Sequence, residues 1–215
     1  GKRLGAEAPK AFVLLGGKPL YQYSLSVFQN HSAIEDVVLV VPPTQTSLSL
    51  KGVTIVGGGA TRQESVWKGM KALKQSCDWV LVHDAARPFL TKELIDKLLD
   101  EARQNKNAIL VHPVSDTIKL VESGRIIKTV DRKNLWGAET PQLCQIALLQ
   151  KAFETAEKEN WAVTDEASLL EKMGVPIFAV EGDSLNMKIT TKKDLEFAAT
   201  LLKEKERLEN ELARF

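Results

Sequence analysis

The chain has 215 residues, 44% of them apolar, which is enough for one large domain or one domain with a small excursion and leaves no stretch able to span a bilayer. Basic and acidic side chains nearly cancel, 29 against 28, for a formal net charge of +1. Composition therefore predicts a soluble globular protein and excludes bulk nucleic-acid or membrane binding, so any anion must be met by a local basic cluster.

The hydrophobic period switches repeatedly along the chain. Residues 36–41 (DVVLVV) are apolar and β-branched and end in Pro42-Pro43, which predicts a buried strand. Residues 53–56 predict another, closed by Gly57-Gly58-Gly59. Thr61-Arg62-Gln63-Glu64 has the form of a capping box, with Val66, Trp67, Met70 and Leu73 following at helical spacing. A third strand is expected at 79–82. A helix from about Thr91 carries Leu94, Ile95, Leu98, Leu99 and Ala102 on one face, and a fourth strand covers 108–111. Continuously apolar strands alternating with helices imply a mostly parallel sheet covered on both faces, an α/β fold.

The rhythm breaks at 114–135. Residues 117–121 and 125–130 flank Ser123-Gly124, which predicts a β-hairpin leaving the main body. Thr140-Pro141-Gln142 reads as a turn. Helices are then expected over about 145–158 and from near Thr164, the latter with Asp165 and Glu166 at its positive end and Gly174 as its stop. Residues 175–180 and 187–190 read as strands. Thr191-Lys192-Lys193-Asp194 opens a last helix with Leu195, Ala198, Leu202, Leu208 and Leu212 on its apolar positions, continuing into the charged tail KEKERLENELARF.

In an open α/β sheet, ligands bind at the carboxyl ends of the strands. Asp84 and Arg87 lie just past such an end, where a carboxylate can accept ligand hydroxyls or approach a metal and an arginine can meet a phosphate. A salt bridge closing a loop would use the same residues. Gly58 and Gly59 permit close approach of a ligand to the backbone, with Arg62 and Ser65 in the first turns of the helix behind them. A well-capped strand-to-helix turn would look alike. Arg3 and Lys10 sit in a glycine-containing loop, Lys188 between apolar neighbours in an expected strand, and Arg132 at the end of the hairpin. The sequence holds neither GxxxxGK[ST] nor a complete GxGxxG. His31 reads as a surface residue, and His83 and His112 as structural residues at strand ends. Cys77 and Cys144 stand far apart with no metal-ligand spacing, which predicts two reduced thiols in a cytosolic protein.

Together, the segments GKRLG…PK, GGATRQES, VHDAARP, DTIK, TVDRKNLW, TPQ, TDEAS and NMKIT occur in an order that resembles the 2-C-methyl-D-erythritol 4-phosphate cytidylyltransferase family, from residue 1 to about 203. HDAARP with TPQ and TDEAS carries the specificity. The resemblance implies a three-layer, Rossmann-like nucleotidyltransferase fold forming a single domain over 1–215, with a β-arm at about 114–135. It implies transfer of CMP from CTP to methylerythritol phosphate with release of pyrophosphate, Mg2+ carried with CTP, and a homodimer joined through the arm. Arg3 and Lys10 match groups that neutralise charge developing on the α-phosphate. Gly58, Gly59, Arg62 and Ser65 match the cytidine pocket. Asp84 and Arg87 match groups near ribose, metal and sugar phosphate. Arg132, Thr140 and Lys188 match groups holding the acceptor, and Thr117 and Arg132 reach the neighbouring subunit. The implied setting is the bacterial cytoplasm, or the plastid stroma of a plant or alga. The family's first strand and the small residues ahead of GKRLG, which hold base and ribose, have no counterpart here, so the resemblance implies a chain continuing upstream of Gly1.

Two other readings use the same residues. A ribitol 5-phosphate cytidylyltransferase would share the phosphate-handling groups. A non-catalytic nucleotide-binding module could share the fold, although binding alone does not require Arg3, Lys10, Arg132 and Lys188 together. A dinucleotide oxidoreductase is disfavoured, because no acidic residue follows a complete glycine fingerprint.

Overall fold

The computed structural model describes residues 9–74 and 77–212. A single 3-10 turn, Lys10–Phe12, leads into the short pair β1 (Leu14–Leu15) and β2 (Lys18–Pro19), then α1 (Leu20–Gln29). Next come β3 (Val38–Val41), β4 (Thr54–Gly57), α2 (Arg62–Lys71), β5 (Trp79–Val82), α3 (Lys92–Asn105) and β6 (Ala108–Pro113). β7 (Ile118–Glu122) and β8 (Arg125–Val130) form the expected hairpin. The rest is β9 (Trp136–Gln145), α4 (Ile146–Glu159), α5 (Glu166–Lys172), β10 (Phe178–Glu181) and α6 (Lys192–Leu212).

The helix ends follow from local chemistry. Thr61 accepts a hydrogen bond from the Glu64 amide and Thr91 from the Leu94 amide, each at the start of its helix. Glu64 departs from a reciprocal capping box, because its carboxylate accepts from the Ala60 amide at 2.9 Å. Thr191 and Asp194 do form the reciprocal pair at the start of α6, each side chain accepting from the other's backbone N–H. Gly174, at φ +70°, ends the turn after α5 in a conformation that disfavours side chains.

In the main sheet β5, β6 and β10 run in the same direction and β9 alone runs against them. The strand order is β10-β6-β9-β5, with β10 and β6 parallel and β9 antiparallel to both β6 and β5. β3 and β4 form a separate parallel pair. β9 occupies the stretch expected to turn at 140–142. Its polar residues Glu139, Thr140 and Gln142, with Pro141 among them, mask the strand in the sequence. All three polar residues are buried, and each has a hydrogen-bond partner. Conversely, residues 187–190, expected as a strand, form neither strand nor helix.

Side chains alternate between two cores, as strand geometry requires. On one face Cys144 of β9 packs with Leu149, Phe153, Leu169 and Leu170 from α4 and α5. On the other Leu143 packs with Leu94, Ile95 and Leu98 of α3. Each fully buried leucine of this kind contributes about 1.5–3 kcal/mol. His31, expected on the surface, is buried; its Nε2 lies 3.1 Å from Asp96 Oδ1, and its Nδ1 accepts from the Ala33 amide. Both cysteines are free thiols, and burial pushes Cys144 above its ordinary pKa. No helix among the described residues is long and apolar enough to cross a membrane.

Two surfaces remain less enclosed. The β7–β8 hairpin pairs with no other strand among the described residues, and Leu120, Val121, Ile126 and Ile127 are all exposed on it. Ser123 and Gly124 both have positive φ, which makes the two-residue turn that a right-twisted hairpin favours. Between β3 and β5 lies an apolar groove of about 560 Å³, floored by Val38, Val40, Val80 and Val82 and reaching Asp84 at one end.

Candidate active site

The end of β5 is held from the side by β9. The Asp84 amide donates to Thr140 Oγ1 at 3.0 Å, and that hydroxyl lies 3.1 Å from His83 Nδ1. His83 Nε2 stands 3.1 Å from the Arg87 carbonyl, which can only accept, so Nε2 carries the proton. Nδ1 is then the acceptor for the Thr140 hydroxyl. One direction of donation runs from Asp84 N–H through Thr140 to His83 and on to Arg87. This arrangement requires a neutral imidazole, and burial lowers the His83 pKa to about 4. His83 is thus a structural strand-end residue, as its sequence position implied.

Asp84 joins two cations. Arg62 Nε donates to its Oδ1 at 3.2 Å, and Lys188 Nζ to its Oδ2 at 2.5 Å. The terminal nitrogens of Arg62 grip Glu166 in a fork, at 2.7 and 2.9 Å. Burial would raise the Asp84 pKa, but Arg62 and Lys188 outweigh it and bring the carboxyl to about 2. Burial likewise works against the Arg62 charge, yet Glu166 and Asp84 hold its pKa above the usual guanidinium value. Glu166 goes the other way. It is almost fully enclosed, and burial raises its pKa despite the fork from Arg62.

Two glutamines fix this fork from behind. Gln142 of β9 donates to Asp165 and accepts from the Ala167 amide, bracketing Glu166 at the start of α5. Gln63, next to Arg62, donates to the Trp161 carbonyl and accepts from the Val163 amide. The sequence presents Glu166 only as a favourable charge at a helix start. Its partner lies 104 residues away, so the pairing is tertiary.

Gly58 and Gly59 lie against the first turns of α2. A side chain at 58 would come within 2.9 Å of Ser65 Oγ, and one at 59 would overlap Glu64. Ser65 Oγ accepts from the Gly59 amide at 3.0 Å and donates to the Thr61 carbonyl at 2.8 Å. The glycines therefore have a packing reason here. Arg87 is placed differently from a phosphate-facing group. It is buried, its Nη1 and Nη2 donate to the carbonyls of Asn186 and Ala138, and its Nε has no partner.

The remaining sequence candidates stand elsewhere. Lys10 opens the 3-10 turn before β1. Thr117 and Arg132 are exposed at the two ends of the hairpin, and among the described residues no hydrogen bond or ion pair joins Arg132 to the Asp84 cluster. Arg3 lies outside the described residues.

The chain is similar over nearly its whole length to one family of enzymes. The family model described as 2-C-methyl-D-erythritol 4-phosphate cytidylyltransferase matches residues 1–204. An enzyme of that name from Shouchella clausii is 42% identical over 96% of this chain and 93% of its own length. One from Halalkalibacterium halodurans is 41% identical over 96% and 94%. The crystal structure of the Thermus thermophilus enzyme of that name superposes with a TM-score of 0.83 at 35% identity, covering 91% of this chain and 94% of that one.

Proposed function

Because the chain belongs to the 2-C-methyl-D-erythritol 4-phosphate cytidylyltransferase family, and so transfers a cytidylyl group from CTP to the phosphate of 2-C-methyl-D-erythritol 4-phosphate, we propose that the reaction runs at the strand ends around Asp84. The observation that carries this reading is the alternating cluster Glu166–Arg62–Asp84–Lys188, which places two cations at the rim of the sheet.

The acceptor phosphate is already ionised and needs no general base. One of its oxygens bonds to the α-phosphorus of CTP, the bond to the bridging oxygen of the β-phosphate breaks, and pyrophosphate leaves with that electron pair. The obstacle is repulsion between anions, so the protein contributes position and positive charge. Arg3 and Lys10 neutralise the α-phosphate. Gly58, Gly59, Arg62 and Ser65 border the cytidine. Lys188 holds the acceptor phosphate from within one subunit, and Arg132 and Thr117 hold it from the neighbour, while the Thr140 hydroxyl stays committed to His83 and Asp84.

Mg2+ fits this site as a passenger of the triphosphate. Among the described residues there is no cluster of three or more Asp, Glu, His or Cys side chains able to cage an ion. A triphosphate-borne Mg2+ takes only one or two protein carboxylates. Asp84 can supply one by exchanging its Oδ2 contact with Lys188, which would also free Lys188 for the acceptor. When bound, the ion offsets phosphate charge.

The architecture supports a single Rossmann-like cytidylyltransferase domain over 1–215. β3 and β5 each present an unpaired edge among the described residues, and the apolar groove lies between them. The hairpin serves as a dimerisation arm, its four exposed aliphatic side chains covered by a second copy around a two-fold axis.

Pyrophosphate release tests the reading directly. Purified protein with CTP, Mg2+ and methylerythritol phosphate should release one pyrophosphate per CTP, far faster than with ribitol 5-phosphate. Lys188→Ala should raise the KM for the acceptor. A wild-type KM in that variant would remove Lys188 from the acceptor site.

A further inference from the structure

Lys188 reaches Asp84 from a segment with no regular secondary structure, which makes its fixed position a question in itself. Two buried polar groups lie behind it. Glu139 of β9, only 2% exposed, accepts from His112 Nδ1 at 2.9 Å and from Asn186 Nδ2 at 2.7 Å. Asn186, 1% exposed, also donates to the Thr140 carbonyl at 2.9 Å. Its own carbonyl accepts from Arg87 at 2.7 Å, and the Ile189 amide donates to the Ala86 carbonyl at 2.8 Å. Lys188 is therefore pinned two residues before and one residue after itself.

The pocket around Glu139 is closed by absent side chains. A Cβ at Gly182 would come within 2.8 Å of Glu139 Oε2, and one at Gly137 within 2.5 Å of His112 Nε2. Not every polar atom in the assembly is satisfied: Asn186 Oδ1 and Arg87 Nε are buried without partners. A core selected only for stability would avoid such groups, and they persist where position matters more.

We propose that Glu139 and Asn186 are positioning residues of the acceptor site, acting through Lys188, with Arg87 as the clamp on the Asn186 backbone. Glu139 fixes the Asn186 amide, and Asn186 ties the Lys188 segment to the strand that carries Thr140. Neither residue touches substrate. The proposal rests on the reading that Lys188 grips the acceptor phosphate.

Glu139→Gln keeps the size but gives one of its two donors an amide N–H to face. Its kcat and separate KM values for CTP and methylerythritol phosphate are to be measured beside those of Lys188→Ala and the double variant. The acceptor KM should rise about tenfold in Glu139→Gln while that for CTP stays within about twofold. The double variant should be little worse than Lys188→Ala alone, since residues acting through one contact are not additive. Should Glu139→Gln fail to fold, Asn186→Ala removes the same link and gives the same readout. Equal losses for both substrates, a loss of active fraction with unchanged KM values, or independent effects in the double variant would overturn the proposal. An unchanged acceptor KM in Lys188→Ala would instead overturn the acceptor-site reading, and the proposal with it.

Discussion

The charged cluster at the end of β5 and the β7–β8 hairpin handle their side chains in opposite ways. At the cluster, charges are drawn inward and each is met by a partner from another element: Arg62 from α2, Glu166 from α5, Asp84 after β5 and Lys188 before α6. On the hairpin, aliphatic side chains are turned outward, and the strands pair only with each other. The first region is complete within one copy of the chain. The second is the kind of apolar surface that a two-stranded ribbon cannot keep stable alone in water. The charged cluster therefore belongs to the sheet and its helices, and the uncovered apolar surface to the hairpin. Arg132 and Thr117, at the base of the arm, are where the two would meet in a dimer.

The largest expected effect comes from breaking the cluster. Asp84→Asn leaves the shape but removes the charge between Arg62 and Lys188. Arg62 remains held by Glu166, so the fold should persist, as circular dichroism would check. The value of kcat/KM should fall by about 100-fold or more, as for loss of a preorganised electrostatic group. Activity near wild type with Mg2+ and both substrates would reduce Asp84 to a structural salt bridge.

Mixing subunits tests whether body and arm share one site. Lys10→Ala and Arg132→Ala chains, each nearly inactive alone, are unfolded and refolded together in equal amounts. If Arg132 serves the neighbour while Lys10 serves its own copy, each mixed dimer has one intact site and one doubly damaged site. Random pairing makes half the dimers mixed, so about a quarter of all sites should work. If mixed dimers are demonstrated and no activity returns, both residues serve the same subunit.

The same contrast explains what is legible in the sequence. Elements with a clean period can be read directly: the helix carrying Leu94, Ile95, Leu98 and Ala102, the strand at Val38–Val41, and the hairpin around Ser123-Gly124. The hairpin carries its own turn chemistry, so local residues suffice to specify it. β9 is hidden because the residues that make it useful, Glu139, Thr140 and Gln142, look like turn residues until their buried partners are known. Lys188 looks like part of a strand because alternation in NMKIT imitates one, whereas Asn186 pins that segment without a ladder. Strand-end position is enough to single out Asp84 and Arg62. It cannot reveal that Arg87 points into the body, or that Glu166 completes the fork, because both depend on contacts far apart in sequence.

The smallest expected effect is acid destabilisation of the body through His83, leaving the arm untouched. In the folded chain this imidazole is neutral, accepting from Thr140 and donating to Arg87, and its pKa is lowered to about 4 from an ordinary 6.5. Above pH 6.5 neither state binds the proton, and there is no pH dependence from this group. Between pH 6.5 and 4 the unfolded chain takes up the proton while the folded chain does not, so stability falls as pH falls. Below pH 4 both are protonated and the loss levels off, at up to about 3 kcal/mol. Asp84 adds little in this window, because its pKa moves from 3.8 down to about 2 and its contribution is lost mainly below about pH 4. Gln at position 83 can still donate toward the Arg87 carbonyl but does not titrate. Urea unfolding of wild type and His83→Gln at pH 7, 6, 5 and 4.5 should therefore show wild type losing about 1 kcal/mol more per pH unit below pH 6. If the arm joins two copies, the mass by sedimentation should not change over the same range while the body stays folded. Parallel stability curves for the two proteins would mean that His83 is solvated, and that the chain of donation through Thr140 does not hold the end of β5.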